Sequence, residues 1–175
     1  MKTTILSCSL SEDSKSRLLA LELQRVWDTD EVSCQLVDLR EFDLPICDGG
    51  SAYEHQATEK LSSLLAQCDA VVFAVPIYNY DVSAAAKNVI ELAGRQLENK
   101  VAGFLCAAGG QKSYMAVMAV ANSLMLDFRT VIVPRFVYAA GDDYEEGETL
   151  GEEIRGRIAK FGAEFQRLAR AVVTA

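Results

Sequence analysis

Three short stretches of the sequence carry side chains whose types and spacing could do chemistry. Ser9, Ser11, Ser14 and Ser16 follow directly on the first apolar run, Thr3 to Cys8. Hydroxyls and free N–H groups at the point where a strand gives way to a helix suit a phosphate, and the helix end adds partial positive charge. The second stretch, residues 71–92, reads VVFAVPIYNYDVSAAAKNVIEL. Pro76 has no N–H to give to a sheet, so the apolar strand is expected to stop there. Tyr78, Asn79 and Tyr80 would then project into a crevice. The third stretch is Ala107 to Ser113, where Gly109-Gly110 would let the backbone approach a flat ligand closely or adopt positive φ. Each stretch also has a plain structural use: serines cap helices and fill turns, aromatic loops contact partners, and glycines make tight turns.

Other phosphate chemistries fail on spacing. No G-x-x-x-x-G-K-[ST] and no G-x-G-x-x-G occurs in the chain. Cys8 at the end of the first strand could serve as a phosphatase nucleophile only with an arginine six residues on, and Ser14 stands there. A receiver domain would need an acidic pair after the first strand and an aspartate ending the third, where Ser9 and Pro76 stand. His55 is the one histidine, and the cysteines (Cys8, Cys34, Cys47, Cys68, Cys106) have no C-x-x-C spacing, so no metal site is expected.

The elements that must position these stretches alternate along the chain. Short β-branched or continuous apolar runs (Thr3 to Cys8, Gln35 to Leu39, Ala70 to Val75, Val101 to Ala107, Thr130 to Val133) are separated by helical periodicity. The helices are expected over Ser14 to Trp27, Thr58 to Gln67 with Thr58 as N-cap, Ser83 to Ala93 with Gly94 as C-cap, and Ser113 to Leu126 with Ser113 as N-cap. A last helix carries Ile154, Ile158, Phe161, Phe165 and Leu168, preceded by an acidic loop with Asp142, Asp143, Glu145, Glu146 and Glu148. Alternation of this kind predicts an α/β fold with a five-stranded parallel sheet between helical layers, in the flavodoxin-like order 2-1-3-4-5. Ligands in such sheets sit at the carboxyl ends of the strands, at the β1/β3 switch point, which brings the serine loop beside Pro76–Tyr80.

At 175 residues, half of them hydrophobic and without repeats or a linker, the chain reads as a single domain, 1–175. A net charge of −8 and a pI near 4.7 argue against nucleic acid or an anionic membrane as partner. No run is long enough to span a bilayer, and unpaired cysteines suit the reducing cytoplasm. Tyr114 to Ala121 is apolar on every helical face, which predicts a covered surface and hence oligomerisation.

The P-x-Y-N of Pro76–Asn79, followed eight residues later by Lys87-Asn88, resembles the flavin-ring loop of the NAD(P)H-dependent FMN reductase family. The serine loop resembles that family's phosphate loop S-x-R-x-x-S-x-S/N over Ser9, Ser14 and Ser16. It departs at Ser11, where arginine is common, and at Cys8, where glycine is common. The helix dipole, with Lys15 or Arg17, would then compensate the phosphate charge, and Glu12 and Asp13 would face solvent. The resemblance runs from the first strand to the fifth. It implies FMN bound by Ser9, Ser11, Ser14, Ser16, Pro76, Ile77, Tyr78, Asn79, Gly109 and Gly110, with Lys87 and Asn88 supporting the loop and His55 a bystander. It further implies hydride from NADPH or NADH, a small-molecule second acceptor such as a flavin or quinone, ping-pong turnover, and a homodimer or homotetramer. The flavin carries the chemistry, so no catalytic side chain is expected. The alternative is a flavodoxin-type electron carrier, whose loop T-x-T-G-x-T is similar to Ser9–Ser14 except that Glu12 replaces glycine.

Overall fold

The computed structural model describes residues 1–30, 32–145 and 149–173; Glu146 and Glu148 of the acidic loop lie outside them. Strand β1 (Thr3–Ser7) pairs in parallel with β2 (Cys34–Asp38) on one side and β3 (Ala70–Tyr78) on the other. Next to β3 lies β5 (Val101–Ala107), also parallel, and β5 is flanked by both β6 (Val131–Ile132) and β7 (Val137–Ala139). The two-residue β4 (Asp81–Val82) pairs antiparallel with the end of β3. The sheet thus has seven strands in place of the expected five, in the order β2-β1-β3-β5-β6. Its five parallel lanes keep the expected 2-1-3-4-5 path, because β6 and β7 occupy one lane. Val133 still donates to Ala102 O at 2.9 Å, but Pro134 has no N–H to continue the ladder, and pairing resumes at Val137.

Helices cover both faces. Helices α1 (Lys15–Thr29) and α5 (Glu152–Val173) pack over Ile5, Val72 and Leu105. The α5 stripe behaves as its spacing requires: Ile154, Ile158, Phe161 and Phe165 are fully buried. Gly103 on β5 is what lets the last two rings in, since a Cβ there would sit 2.8 Å from ring atoms of each. The opposite face carries α2 (Gln56–Ala66), α3 (Ala84–Ala93) and α4 (Val117–Phe128) over Leu6, Phe73 and Phe104. No described helix is long and apolar enough to cross a membrane.

Several boundaries differ from expectation for local reasons. His55 caps α2, its Nδ1 accepting from Ala57 N at 3.3 Å, while Thr58 turns inward and donates to Ala52 O at 2.8 Å. Ser113 ends a 3₁₀ turn instead of capping α4. Its carbonyl accepts from Ala116 N, and Tyr114 packs against the rings of Phe136 and Tyr138 with centroids 5.0 and 5.5 Å away. Gly94 does end α3, in right-handed backbone. What it supplies is room, because a Cβ would lie 2.5 Å from the Phe128 ring.

The largest departure is at Pro76. The strand was expected to release the chain there, yet β3 continues to Tyr78, with Pro76 opposite Ala107. Proline lacks only a donor; its carbonyl still accepts from Ser83 N at 3.0 Å. Asn79 and Tyr80, with φ of 51° and 65°, form the two-residue turn of a tight hairpin that returns as β4.

Candidate functional site

The carboxyl ends of β1, β3 and β5 open into a cleft of about 730 Å³, within the range that holds a mononucleotide-sized ligand. Its first wall is the loop after β1. Ser14 caps α1, its Oγ accepting from Arg17 N at 3.1 Å and lying 3.1 Å from Ser16 Oγ. Ser9 Oγ accepts from Ser11 N at 3.2 Å. Ser9, Ser14 and Ser16 are buried yet line the cleft, and Ser11 stands exposed on its rim. Hydroxyls sunk at a helix N-terminus and lining a cleft are a donor set suited to a phosphate.

The second wall is the β3 tip: Pro76, Ile77, Tyr78 and Asn79. Tyr78 is half exposed on the cleft side, whereas Tyr80 points elsewhere. The third wall is Ala107 to Gly109. A Cβ placed on Gly109 or Gly110 would meet nothing within 4 Å, so open space lies over this backbone. Neither glycine has positive φ; among the described glycines that belongs to Gly49. Gly110 is not on the cleft lining. Its carbonyl accepts a 2.5 Å hydrogen bond from Tyr138 Oη, which holds the loop from behind.

Two charged groups behave differently from expectation. Asp13 is exposed but stands on the cleft wall, so only Glu12 is fully turned away. Arg17 is committed to Asp38, Nε to Oδ2 at 2.8 Å, and Arg40 grips the same carboxylate at 2.7 Å. Burial of Asp38 opposes its charge, but the hydrogen bonds from Arg40 and Arg17 prevail and bring its pKa down to about 2. Cys8 is fully buried, and burial followed by the charge of Asp38 pushes its thiol well above the ordinary range. A protonated, inaccessible thiol is no nucleophile, which agrees with rejecting the phosphatase reading.

Support for the loops comes from residues behind the cleft lining. Asn88 on α3 donates to Pro45 O at 2.9 Å and accepts from Cys47 N at 2.9 Å, pinning the neighbouring loop. Lys87 pairs with Glu91 at 3.2 Å on the helix surface. Ser83 and Gly141 also shape the cleft. The first ties the cleft loops together through its hydroxyl, and the second closes the cleft from beyond β7. A serine in an N-cap position and a glycine before two aspartates look like ordinary boundary residues, so nothing local marks either one.

A planar heterocycle with a phosphorylated tail therefore fits the residues present. The comparisons agree. The model of the NADPH-dependent FMN reductase family matches residues 1–145. An NAD(P)H-dependent FAD/FMN reductase of Geobacillus thermodenitrificans is 32% identical over 138 residues, 77% of this chain and 74% of that protein. An NADPH azoreductase of a Bacillus species is 26% identical over 160 residues, 90% of this chain and 86% of its own. In fold, the flavoenzyme NAD(P)H:(acceptor) oxidoreductase FerB of Paracoccus denitrificans superposes with a TM-score of 0.73 at 22% identity, covering 95% of this chain and 97% of that one. With most of its length matched by the family model and a relative this similar, the chain belongs to the NADPH-dependent FMN reductase family.

Proposed function

We propose that the cleft holds FMN with its phosphate among Ser9, Ser11, Ser14 and Ser16 and its ring between the Pro76–Asn79 strand tip and Gly109, with Gly110 fixing the shape of that loop. As a family member the protein is an NAD(P)H-dependent, FMN-using oxidoreductase. The observation that carries the placement is the convergence of buried serine hydroxyls, an exposed tyrosine and an unobstructed glycine backbone on one cleft.

When bound, FMN supplies reversible hydride and electron transfer between NAD(P)H and a second acceptor. The chain's own residues bind and orient. Serine hydroxyls and the α1 N-terminus would receive the phosphate, Tyr78 would pack against the ring, and the backbone of Gly109 would lie along the edge where negative charge develops on reduction, the Ala108 N–H being taken by Ala139 O at 2.9 Å. Donor and acceptor would use one ring face in turn, giving ping-pong turnover with a small organic acceptor. Residues 1–175 would act as one unit, without nucleic acid or membrane. The exposed Met115, Met118, Met125 and Leu126 support a homodimer or homotetramer. The five free cysteines support a cytoplasmic setting.

Anaerobic titration of FMN-loaded protein with NADPH and then NADH tests the reading. Bleaching of the flavin band is expected. A band unchanged by either nucleotide would leave a carrier of the flavodoxin type.

A further inference from the structure

The loop after β1 is poorly supplied with positive charge for a phosphate. From Cys8 to Ser16 it carries Glu12, Asp13 and a single cation, Lys15. The next cation, Arg17, is held by Asp38. Asp13 stands on the cleft wall, so an entering phosphate meets a carboxylate. Among the described residues that line the cleft, Lys15 is the one basic side chain.

Its placement is informative in three ways. Lys15 is the first residue of α1, where the helix's own partial positive charge disfavours a cation and no acidic residue of the first turn offsets it. Its side chain does not lie back along the helix. The ammonium sits over the ring of Tyr144, 4.9 Å from the centroid, in the antiparallel pair of β8 (Tyr144–Glu145) and β9 (Thr149–Leu150). An aromatic face holds a cation in place without neutralising it, so the full charge stays available to an anion. Lys15 is thus an exposed cation at an unfavourable helix end, seated by a residue from the far part of the chain on a cleft with one carboxylate, and its charge is open to an anion entering there.

We infer that Lys15, seated on Tyr144, is the residue that makes the cleft select a phosphorylated flavin over the same flavin without phosphate. The inference rests on reading the cleft as an FMN site. Lys15 supplies the charge-assisted contact to the phosphate oxygens, the serines supply neutral hydrogen bonds, and Tyr144 is a positioning residue.

Dissociation constants for FMN and riboflavin, from flavin fluorescence at low and high salt, test it. Lys15→Met is expected to weaken FMN about tenfold, the worth of one charged contact, and to leave riboflavin within about twofold. It should also flatten the salt dependence of FMN binding, since less charge is then screened. Lys15→Arg should restore most of the preference. Tyr144→Leu, which keeps the charge and removes its seat, should lose about threefold for FMN alone. Lys160→Met, an exposed lysine on α5 outside the cleft, controls for net charge and should match wild type. A Lys15→Met protein that keeps the wild-type ratio of the two affinities, or loses both flavins equally, overturns the assignment while leaving the FMN site standing. Wild-type protein that binds no FMN overturns the FMN reading itself and the role of Lys15 with it.

Discussion

The Ser83 hydroxyl donates to the carbonyl of Cys8 at 3.1 Å, joining two cleft loops across 75 residues of sequence. The same oxygen accepts from Ala86 N at 3.3 Å to cap α3, and the Ser83 amide donates to Pro76 O at 3.0 Å. One buried serine therefore sets the distance between the phosphate wall and the ring wall. Ser83→Ala would leave the Cys8 carbonyl and the Ala86 amide without that partner, at a cost of about 1–2 kcal/mol. A lower urea midpoint and weaker binding of FMN and riboflavin alike are expected, with Ser83→Thr closer to wild type. An unchanged midpoint in Ser83→Ala would show that the bond does not stabilise the fold.

Asp38 makes stability depend on acid. Its folded pKa lies near 2, below the usual carboxylate range, because the Arg40 and Arg17 hydrogen bonds outweigh its burial. The sign follows from linkage: the unfolded chain takes up the proton first, so the stabilisation is present above about pH 4 and disappears as pH falls towards 2. Asp38→Asn should remove at most about 2 kcal/mol at neutral pH and flatten that part of the acid limb. Urea unfolding at pH 7, 4 and 2.5 measures both effects, and identical slopes for the two proteins would refute the account.

How much of this was legible in the sequence depended on how local the cause was. The stripe Ile154, Ile158, Phe161, Phe165 needs only helical periodicity, and all four are buried. The continuous apolar run of β3 needs only burial on both faces, and the walls of the cleft follow from where strands end. Partner choice is another matter. Arg17 lies beside the serines in sequence, but Asp38 on the neighbouring strand claims it. The sequence shows the donor that Pro76 lacks, whereas its carbonyl and the hairpin behind it decide where the strand stops. Thr58 and Ser113 have capping side chains, yet a neighbour or an extra turn moved each helix start. The resemblance implies a supporting role for Asn88, and its side chain bonds to Pro45 and Cys47, partners 43 and 41 residues away that no local pattern marks.

Gly103 is where a single methyl group should be felt most. Its Cβ would lie 2.8 Å from both the Phe161 and Phe165 rings, in the middle of β5, where neither the strand nor the buried rings can move freely. Gly103→Ala is expected to cost roughly 1–3 kcal/mol through overpacking. Gly156→Ala on exposed α5, where a Cβ meets nothing within 4 Å, should instead gain up to about 1 kcal/mol from helix propensity. Thermal midpoints moving in opposite directions would support this packing. A neutral Gly103→Ala would argue against it.

The ring wall predicts a pattern opposite to that of Lys15. Tyr78 lines the cleft with its ring half exposed, and it has no part in the serine loop. Removing it by Tyr78→Ala should take away stacking and contact area from any flavin, phosphorylated or not, and weaken FMN and riboflavin together by about tenfold. Asn79 sits at φ 51°, so alanine there would add backbone strain to the loss of its amide. Asn79→Gly keeps the turn and removes only the side chain, which makes it the cleaner test of the amide. Because the loss falls on the ring, the ratio of FMN to riboflavin affinity and its salt dependence should stay at wild-type values in both variants. A Tyr78→Ala protein that weakened FMN alone would mean that the ring and phosphate ends of the cleft have been exchanged.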